Sequence, residues 1–270
     1  MTIPTWKLPP GVSRGTWDYL QSPHIASDYD RYFADHPLLR LDIAEVIKRL
    51  PPLDRQPPAS PPPLVADLGC GTGRVSRALS PLGFRLLNVD LSEHMLDQLM
   101  QQSQHPAQNA CLRANLVELD CLEPASLDMA VCLFSSIGMI RGRQHRQRFV
   151  AAVYRALKPG AEFFLHAHNR YHSLWDPSGP AWLAHTRWKS WTNRDWEFGD
   201  RVYSYRGLPA MFLHIYSRGE LRHDLRKAGF ERLEFMAINR TGDALLKRRP
   251  WNALRAGGYF VAARRNISPS

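Results

Sequence analysis

The sequence predicts an α/β fold: a seven-stranded, mostly parallel sheet with helices on both faces and an antiparallel last strand. Three observations predict it. Seven short apolar runs recur along the chain, most of them separated by helix-like segments, which is the pattern of a parallel sheet built from crossovers. The first run, Leu64 to Leu68, ends in a glycine-rich turn, Gly69-Cys70-Gly71-Thr72-Gly73, that opens a helix. The fifth run follows Leu157-Lys158-Pro159-Gly160-Ala161, where proline and glycine stop a helix and turn the chain back to the sheet. A chain of 270 residues is ample for one such core with insertions.

Residues 1–63 read as a helical cap and connector rather than a second domain. Trp17-Asp18-Tyr19 and Ala26 to Tyr32 form a helical lead-in, and Leu39 to Leu50 an amphipathic helix that packs on the sheet. Pro51 to Pro63 holds seven prolines, a stiff extended connector without chemistry. Residues 64–270 carry the sheet. After Leu64 to Leu68, a helix starts near Val75 and stops at Gly83, and the second strand is Arg85 to Asp90. Ser92 is placed to N-cap the next helix. Strands follow at Asn109 to Arg113 and Asp128 to Phe134, then an arginine-rich helix at Gln144 to Leu157, then the fifth strand at Glu162 to His168. Ser217-Arg218-Gly219-Glu220 reads as a capping box for a helix from Leu221 to Ala228, closed by Gly229-Phe230. Arg232 to Ile238 and Tyr259 to Ala263 give a terminal antiparallel pair.

The glycine turn carries the chemistry. Such a turn lets backbone approach a ligand, and the helix behind it offers unpaired N–H groups. A dinucleotide-binding turn, Gly-x-Gly-x-x-Gly, would need its third glycine at 74, where Arg74 stands, so a nicotinamide oxidoreductase is disfavoured. The pattern here is Gly69-x-Gly71-x-Gly73 with Asp67 just upstream. Asp90 follows Asp67 by 23 residues, at the end of the second strand, where a carboxylate accepts hydrogen bonds from two ribose hydroxyls. Ligands of open parallel sheets bind beyond the carboxyl ends of the strands, which places Phe134, Ser135 and Ser136 near the reacting groups.

These features resemble the class I S-adenosylmethionine (SAM) dependent methyltransferases. The turn is similar to motif I, Asp90-Leu91-Ser92-x-x-Met95-Leu96 to the segment after it, the fourth strand to motif IV, and Leu157 to Ala161 and Glu220-Leu221…Ala228-Gly229-Phe230 to two further family features. The resemblance covers about residues 20–170 and 214–265. It implies a Rossmann-like fold, SAM as cofactor with S-adenosylhomocysteine as product, and transfer of a methyl group to an O, N or C nucleophile. It implies cofactor contacts from Asp67, Gly69, Cys70, Gly71, Gly73, Asp90 and Leu91, from Asn115 and Leu116 at the adenine, and from Phe134 and Ser135 toward the methyl group. Family members commonly have aspartate where Asn115 stands; an amide oxygen still accepts a hydrogen bond, without the charge. Tyr29 and Arg31 either reach the methionine end of SAM or are ordinary helix-face residues. A general base is needed only for an acceptor that carries a proton, and His166, His168, His214 and Tyr216 are the candidates, although a histidine in an apolar run also fits a packed residue. A SAM-binding module without catalysis remains a further reading.

The acceptor is less legible. Residues 171–216 exceed what the minimal fold needs, and the resemblance makes them a substrate lid. They hold Trp175, Trp182, Trp188, Trp191 and Trp196, with Arg187, Lys189, Arg194 and Arg201 interleaved. The tryptophans either wall an apolar acceptor pocket, or stack on RNA bases beside phosphate-binding cations, or only pack the insertion itself. Net charge is +10, with clusters at Arg141, Arg143, Arg146 and Arg148 and at Lys247-Arg248-Arg249. Leu213 to Leu221 is similar to a segment of the tRNA wobble-uridine carboxymethyl methyltransferases. The expected acceptor is a small molecule, with RNA the alternative; DNA is not expected. Four cysteines show no metal-ligand or redox spacing, no metal is expected, no apolar run approaches the ~20 residues of a membrane span, and Met1 to Lys7 lacks an apolar signal core. A cytoplasmic protein is the expectation; the oligomeric state is not implied.

Overall fold

The computed structural model describes residues 4–53, 61–247, 249 and 251–267. Residues 1–3 of the N-terminal stretch read for a signal core, most of the proline connector and Arg248 of the basic triplet lie outside the described residues.

Three helices lead in: α1 (Arg14–Leu20), α2 (Pro23–Tyr32) and α3 (Pro37–Ile47). The sheet then alternates with helices: β1 (Leu64–Leu68), α4 (Arg74–Leu79), β2 (Arg85–Asp90), α5 (Glu93–Gln102), β3 (Asn109–Arg113), β4 (Leu127–Cys132), α6 (Arg143–Ala156) and β5 (Leu157–His168). The insertion folds as α7 (Gly179–Thr192) and a hairpin, β6 (Asp200–Tyr205) and β7 (Leu208–His214). α8 (Arg218–Lys227), β8 (Arg232–Ile238), α9 (Asn252–Arg255) and β9 (Gly258–Arg264) complete the chain.

The seven-stranded sheet has the order β3-β2-β1-β4-β5-β9-β8, and β9 alone runs antiparallel, paired with both β5 and β8. Alternation along the strands buries both faces. From β1, Val65 packs with Leu38 and Val46 of α3 and Val75 and Leu79 of α4, while Ala66 and Leu68 join the core that holds Phe149 and Val153 of α6 and Leu221 and Leu225 of α8. The fold is therefore Rossmann-like, as expected. The strand order reverses between β1 and β4, which makes the crevice at their carboxyl ends the topological switch point, where ligands of such sheets bind.

Local corrections have local causes. β5 begins at Leu157 rather than Glu162, because Leu157 pairs with Leu127 as soon as α6 ends, and Gly160 donates to Arg265 O at 3.0 Å. Ser92 does not cap α5: its hydroxyl donates to Leu20 O at 2.8 Å and so ties α1 to the second crossover. The capping box of α8 is half formed. Ser217 Oγ accepts from the Glu220 N–H at 3.2 Å, but the Glu220 carboxylate turns inward to His214 and Arg170.

The hairpin β6–β7 stands apart from the main sheet and packs on α1. At Gly15 a Cβ would lie 1.9 Å from Ala210 O, so only glycine allows α1 to sit directly on the β7 backbone.

Candidate functional site

The turn after β1 is held by main chain. The N–H groups of Gly69 and Cys70 both donate to Val89 O, at 2.8 and 3.1 Å, which locks the turn to the end of β2. Gly69 has φ +82° and a Cβ there would meet Ser136 at 2.8 Å, so the turn needs glycine to pass beneath the β4 loop. Gly73 has φ +83°, and a Cβ would lie 2.4 Å from Leu99 Cγ of α5. Gly73 therefore lets α4 pack closely on α5, and it does not line either of the two cavities described below.

Asp90 closes the turn from the other side. Its carboxylate accepts from Gly71 N–H at 2.9 Å and from Ser92 N–H at 2.8 Å. Burial raises its pKa, and these N–H groups pull against that rise.

Two adjoining cavities open at the carboxyl ends of β1, β2 and β4, and they share Tyr29, Phe33, Gly69, Gly71, Phe134 and Ser136. One, of about 370 Å³, carries charge: Asp67, Arg74 and Asp30 line it, with Cys70. Arg74 is paired with Asp42, a buried carboxylate that burial lifts to about 6 against the pull of that guanidinium. Burial likewise lifts Asp67 to about 7, with Arg74 again opposing. The other cavity, of about 330 Å³, is apolar and aromatic. Asp90, Leu91, Asn115 and Leu116 line one end, and Tyr203, Tyr205, Met139, Met211 and His168 the other.

Asn115 is more than a substitute acceptor. Its oxygen accepts from Val117 N–H at 3.1 Å, while its amide nitrogen donates to Pro10 O at 2.9 Å and to Glu118 at 3.2 Å. A carboxylate could make neither donation. The amide thus fastens the N-terminal strap, whose Gly11 and Val12 line the same cavity.

Other expected residues divide. Tyr29 lines both cavities, but Arg31 points to solvent, its side chain 86% exposed and paired with Asp28. Phe134 and Ser136 line the cleft. Ser135 does not: it is buried at φ +64°, its hydroxyl 3.4 Å from the His168 N–H. Phe134, at φ +51°, is the second non-glycine residue here in the left-handed region, and such local strain concentrates at functional sites.

Of the four candidate bases, only His168 lines the cleft. Burial, with His172 and His36 nearby, lowers its pKa to about 4, so its imidazole is neutral at ordinary pH. His166 stacks edge-on against it at 4.9 Å but lies inside the sheet, 1% exposed. Tyr216 is wholly buried in the core beneath α6 and α8. His214 is wholly buried between two carboxylates, Nδ1 to Asp200 at 2.7 Å and Nε2 to Glu220 at 2.8 Å. With both nitrogens engaged and no wall of the cleft reached, it is a structural hub.

That hub absorbs part of the basic cluster. Arg146 is wholly buried, donating to Glu197 at 2.7 Å and to Ile140 O at 3.2 Å. Arg143 pairs with Asp224 and Arg148 with Asp120. Glu197, His214 and Glu220 bring ligand-type atoms within 4.8 Å of one another, but Arg146 and Arg170 supply the positive charge there. The guanidiniums and His214 hold Glu220 down to about 2 although burial opposes them.

The tryptophans of the insertion do not reach either cavity. Three of the four interleaved cations lie on rings of the insertion itself: Arg187 over Trp191 at 4.9 Å and Phe198 at 5.2 Å, Lys189 over Trp196 at 3.5 Å, Arg201 over Trp182 at 5.7 Å. The hairpin walls the cleft instead, through Tyr203 and Tyr205. The period-two spacing of these tyrosines was the signal that could have found them.

Comparison with known proteins fits this geometry. Residues 65–160, which hold the glycine turn and both flanking crossovers, match the family model described as a methyltransferase domain. Over that stretch the chain is similar to methyltransferases. Over 112 residues the chain is 30% identical to the ubiquinone biosynthesis O-methyltransferase of Idiomarina loihiensis, covering 41% of this chain and 44% of that enzyme. The chain spans less than half the length of the curated relatives it matches. In three dimensions the methyltransferase fold extends over most of the molecule. A SAM-dependent methyltransferase of Methanosarcina mazei superposes with a TM-score of 0.61 at 18% identity, over 83% of this chain and 98% of that one. The 1,6-didemethyltoxoflavin-N1-methyltransferase of Burkholderia thailandensis, with 1,6-didemethyltoxoflavin and S-adenosylhomocysteine bound, does so at 0.56 and 17%, over 96% and 93%. Among the described residues, no helix is long and apolar enough to cross a membrane.

Proposed function

We propose that the protein is a SAM-dependent methyltransferase that acts on a small molecule. The observation that carries this is Asp90: a buried carboxylate at the end of β2, fixed by Gly71 and Ser92 N–H groups, facing a cavity that the glycine turn also lines. The residues fit the cofactor. The Gly69 turn leaves room where a side chain would meet Ser136, Asp90 offers lone pairs for ribose hydroxyls, and Leu91 and Leu116 offer apolar surface for a base. Asp67 and Arg74 in the charged cavity suit the ammonium and carboxylate of the methionine end.

Bound SAM supplies a methyl group already attached to a good leaving group. The chain must then hold the acceptor in line, exclude water and take up a proton where the acceptor carries one. Gly11 and Val12 of the strap, Tyr29 of α2 and the β6–β7 hairpin wall the cleft and narrow its access to water. His168, neutral and on the wall, is positioned to take the proton. A concave cavity of about 330 Å³ favours a small acceptor over RNA, and Arg143, Arg146, Arg148, Arg187 and Lys189 are paired or stacked within the protein. Four free thiols suit a reducing, cytoplasmic setting.

Calorimetry with SAM and with NAD tests the reading. SAM binding without NAD binding is expected; binding of NAD alone would overturn it.

A further inference from the structure

Lysine and arginine are abundant in this chain, which has a net charge of +10. Yet among the described residues no lysine or arginine lines the apolar cavity of the cleft. Its one carboxylate, Asp90, lies at the end where ribose is expected and already accepts two N–H groups. The arginines of the adjoining charged cavity and of the hairpin tip have carboxylate partners, Arg40 with Asp35 at 3.6 Å among them. Arg74 is held by Asp42, Arg77 by Asp30 at 3.0 Å, and Arg206 by Asp28 at 2.6 Å while stacked on Tyr32.

From this we infer that the acceptor is a planar, uncharged aromatic molecule, held between Phe134 and the hairpin tyrosines. The inference rests on the methyltransferase reading of the cofactor end. A phosphate or carboxylate on the acceptor would enter this cavity without a partner, and an unpaired buried charge is strongly disfavoured. A protonated amine would meet no carboxylate beyond Asp90.

The walls suit a flat apolar body instead. Phe33 and Phe134 meet edge-to-face at 5.0 Å, and Tyr19 packs against Tyr205 at 6.1 Å. Met139 and Met211 line the same cavity, and thioethers pack well against rings. The polar groups that remain are neutral: burial raises the pKa of Tyr19, Tyr203 and Tyr205 and lowers that of His168. Neutral donors and acceptors of this kind orient a hydroxyl or ring nitrogen without requiring charge on the ligand.

The test uses the full chain loaded with S-adenosylhomocysteine. Its affinity would be measured, by fluorescence titration, for 2-naphthol, 2-naphthoate, 2-naphthyl phosphate, (2-naphthylmethyl)trimethylammonium and total tRNA. The expected result is that 2-naphthol binds at least tenfold more tightly than either anion, the cation or tRNA. Tyr205→Arg, with folding checked by circular dichroism, should erase the preference over 2-naphthoate; if that variant does not fold, the ranking on the wild-type protein decides. Equal or tighter binding of an anion, the cation or tRNA would overturn the inference, as would a protein that binds S-adenosylhomocysteine but no 2-naphthol. A protein that fails to bind S-adenosylhomocysteine overturns the methyltransferase reading itself, and the inference with it.

Discussion

The guanidinium of Arg206 meets the carboxylate of Asp28 at 2.6 Å, and this pair joins the tip of the β6–β7 hairpin to helix α2 across the cleft. Both side chains are largely shielded, and Arg206 also covers the face of Tyr32 at 4.4 Å. Arg206 itself adopts φ +46°, so the tip spends backbone strain to reach its partner. The clasp links the cap to the insertion, two segments separated by most of the chain.

Removing the clasp should loosen the roof and leave the cofactor end intact. Arg206→Ala is expected to cost about 1 kcal/mol of stability, in the range for a single partly exposed pair. It should raise the acceptor KM severalfold and change SAM affinity by less than about twofold. Steady-state kinetics beside SAM calorimetry checks this; an equal loss for both ligands would count against the division of the cleft.

Asp90→Ala should weaken SAM by roughly 2–3 kcal/mol, the range for lost charge-assisted bonds with donors left unpaired. Two of those donors are the chain's own Gly71 and Ser92 N–H groups, so amide exchange in the glycine turn should quicken as well. Asp90→Asn keeps one acceptor oxygen and should fall between. Calorimetry and hydrogen exchange report the two effects separately.

His168 sets a pH signature. Its pKa is lowered to about 4 in the folded protein, below the ordinary 6.5 of the unfolded chain. Between those values the unfolded chain binds the extra proton, so the contribution of His168 to stability is present above about pH 6.5 and is lost as pH falls toward 4. His168→Gln should remove that slope, up to about 1.4 kcal/mol per pH unit. Asp67 and Asp42, raised to about 7 and 6, act oppositely, losing stability as pH rises through those values. Urea unfolding of both proteins at pH 5 and 6.5 isolates the histidine as the difference between them.

Arg146→Ala should be the most destabilising of these changes. It removes a wholly buried cation from Glu197 and Glu220 and leaves their charge uncompensated, a loss of about 3–5 kcal/mol. Thermal or chemical denaturation checks it, and a loss under 1 kcal/mol would mean that His214 and Arg170 suffice.

The main sheet was legible in the sequence because each strand ends in punctuation with a mechanism. Gly69 after β1, Gly83 before β2 and Lys158-Pro159-Gly160 beside β5 mark the crossovers by backbone constraint, which is local. The residues of the cleft that were missed come from long-range packing. Tyr203 and Tyr205 reach the cavity because the hairpin sits on Gly15 of α1, a contact between segments nearly 200 positions apart. The tryptophans misled for the same reason: ring size says that a residue packs, but not on what. Arg146 looked like surface charge beside Arg143 and Arg148, since a cluster of cations does not reveal which member turns inward. His214, in an apolar strand, was read as a possible base, because its partners Asp200 and Glu220 come from different elements.

The contact of Gly15 with the β7 backbone bears on how the roof moves. With no side chain between them, α1 and β7 cannot slide past one another without breaking main-chain contact at Ala210. Helix and hairpin therefore form one cooperative opening unit rather than two independent flaps. Amides of α1 and of β7 should exchange with a common protection factor and respond together to any ligand beneath them, whereas those of α7, which touches neither cavity, should follow a rate of their own.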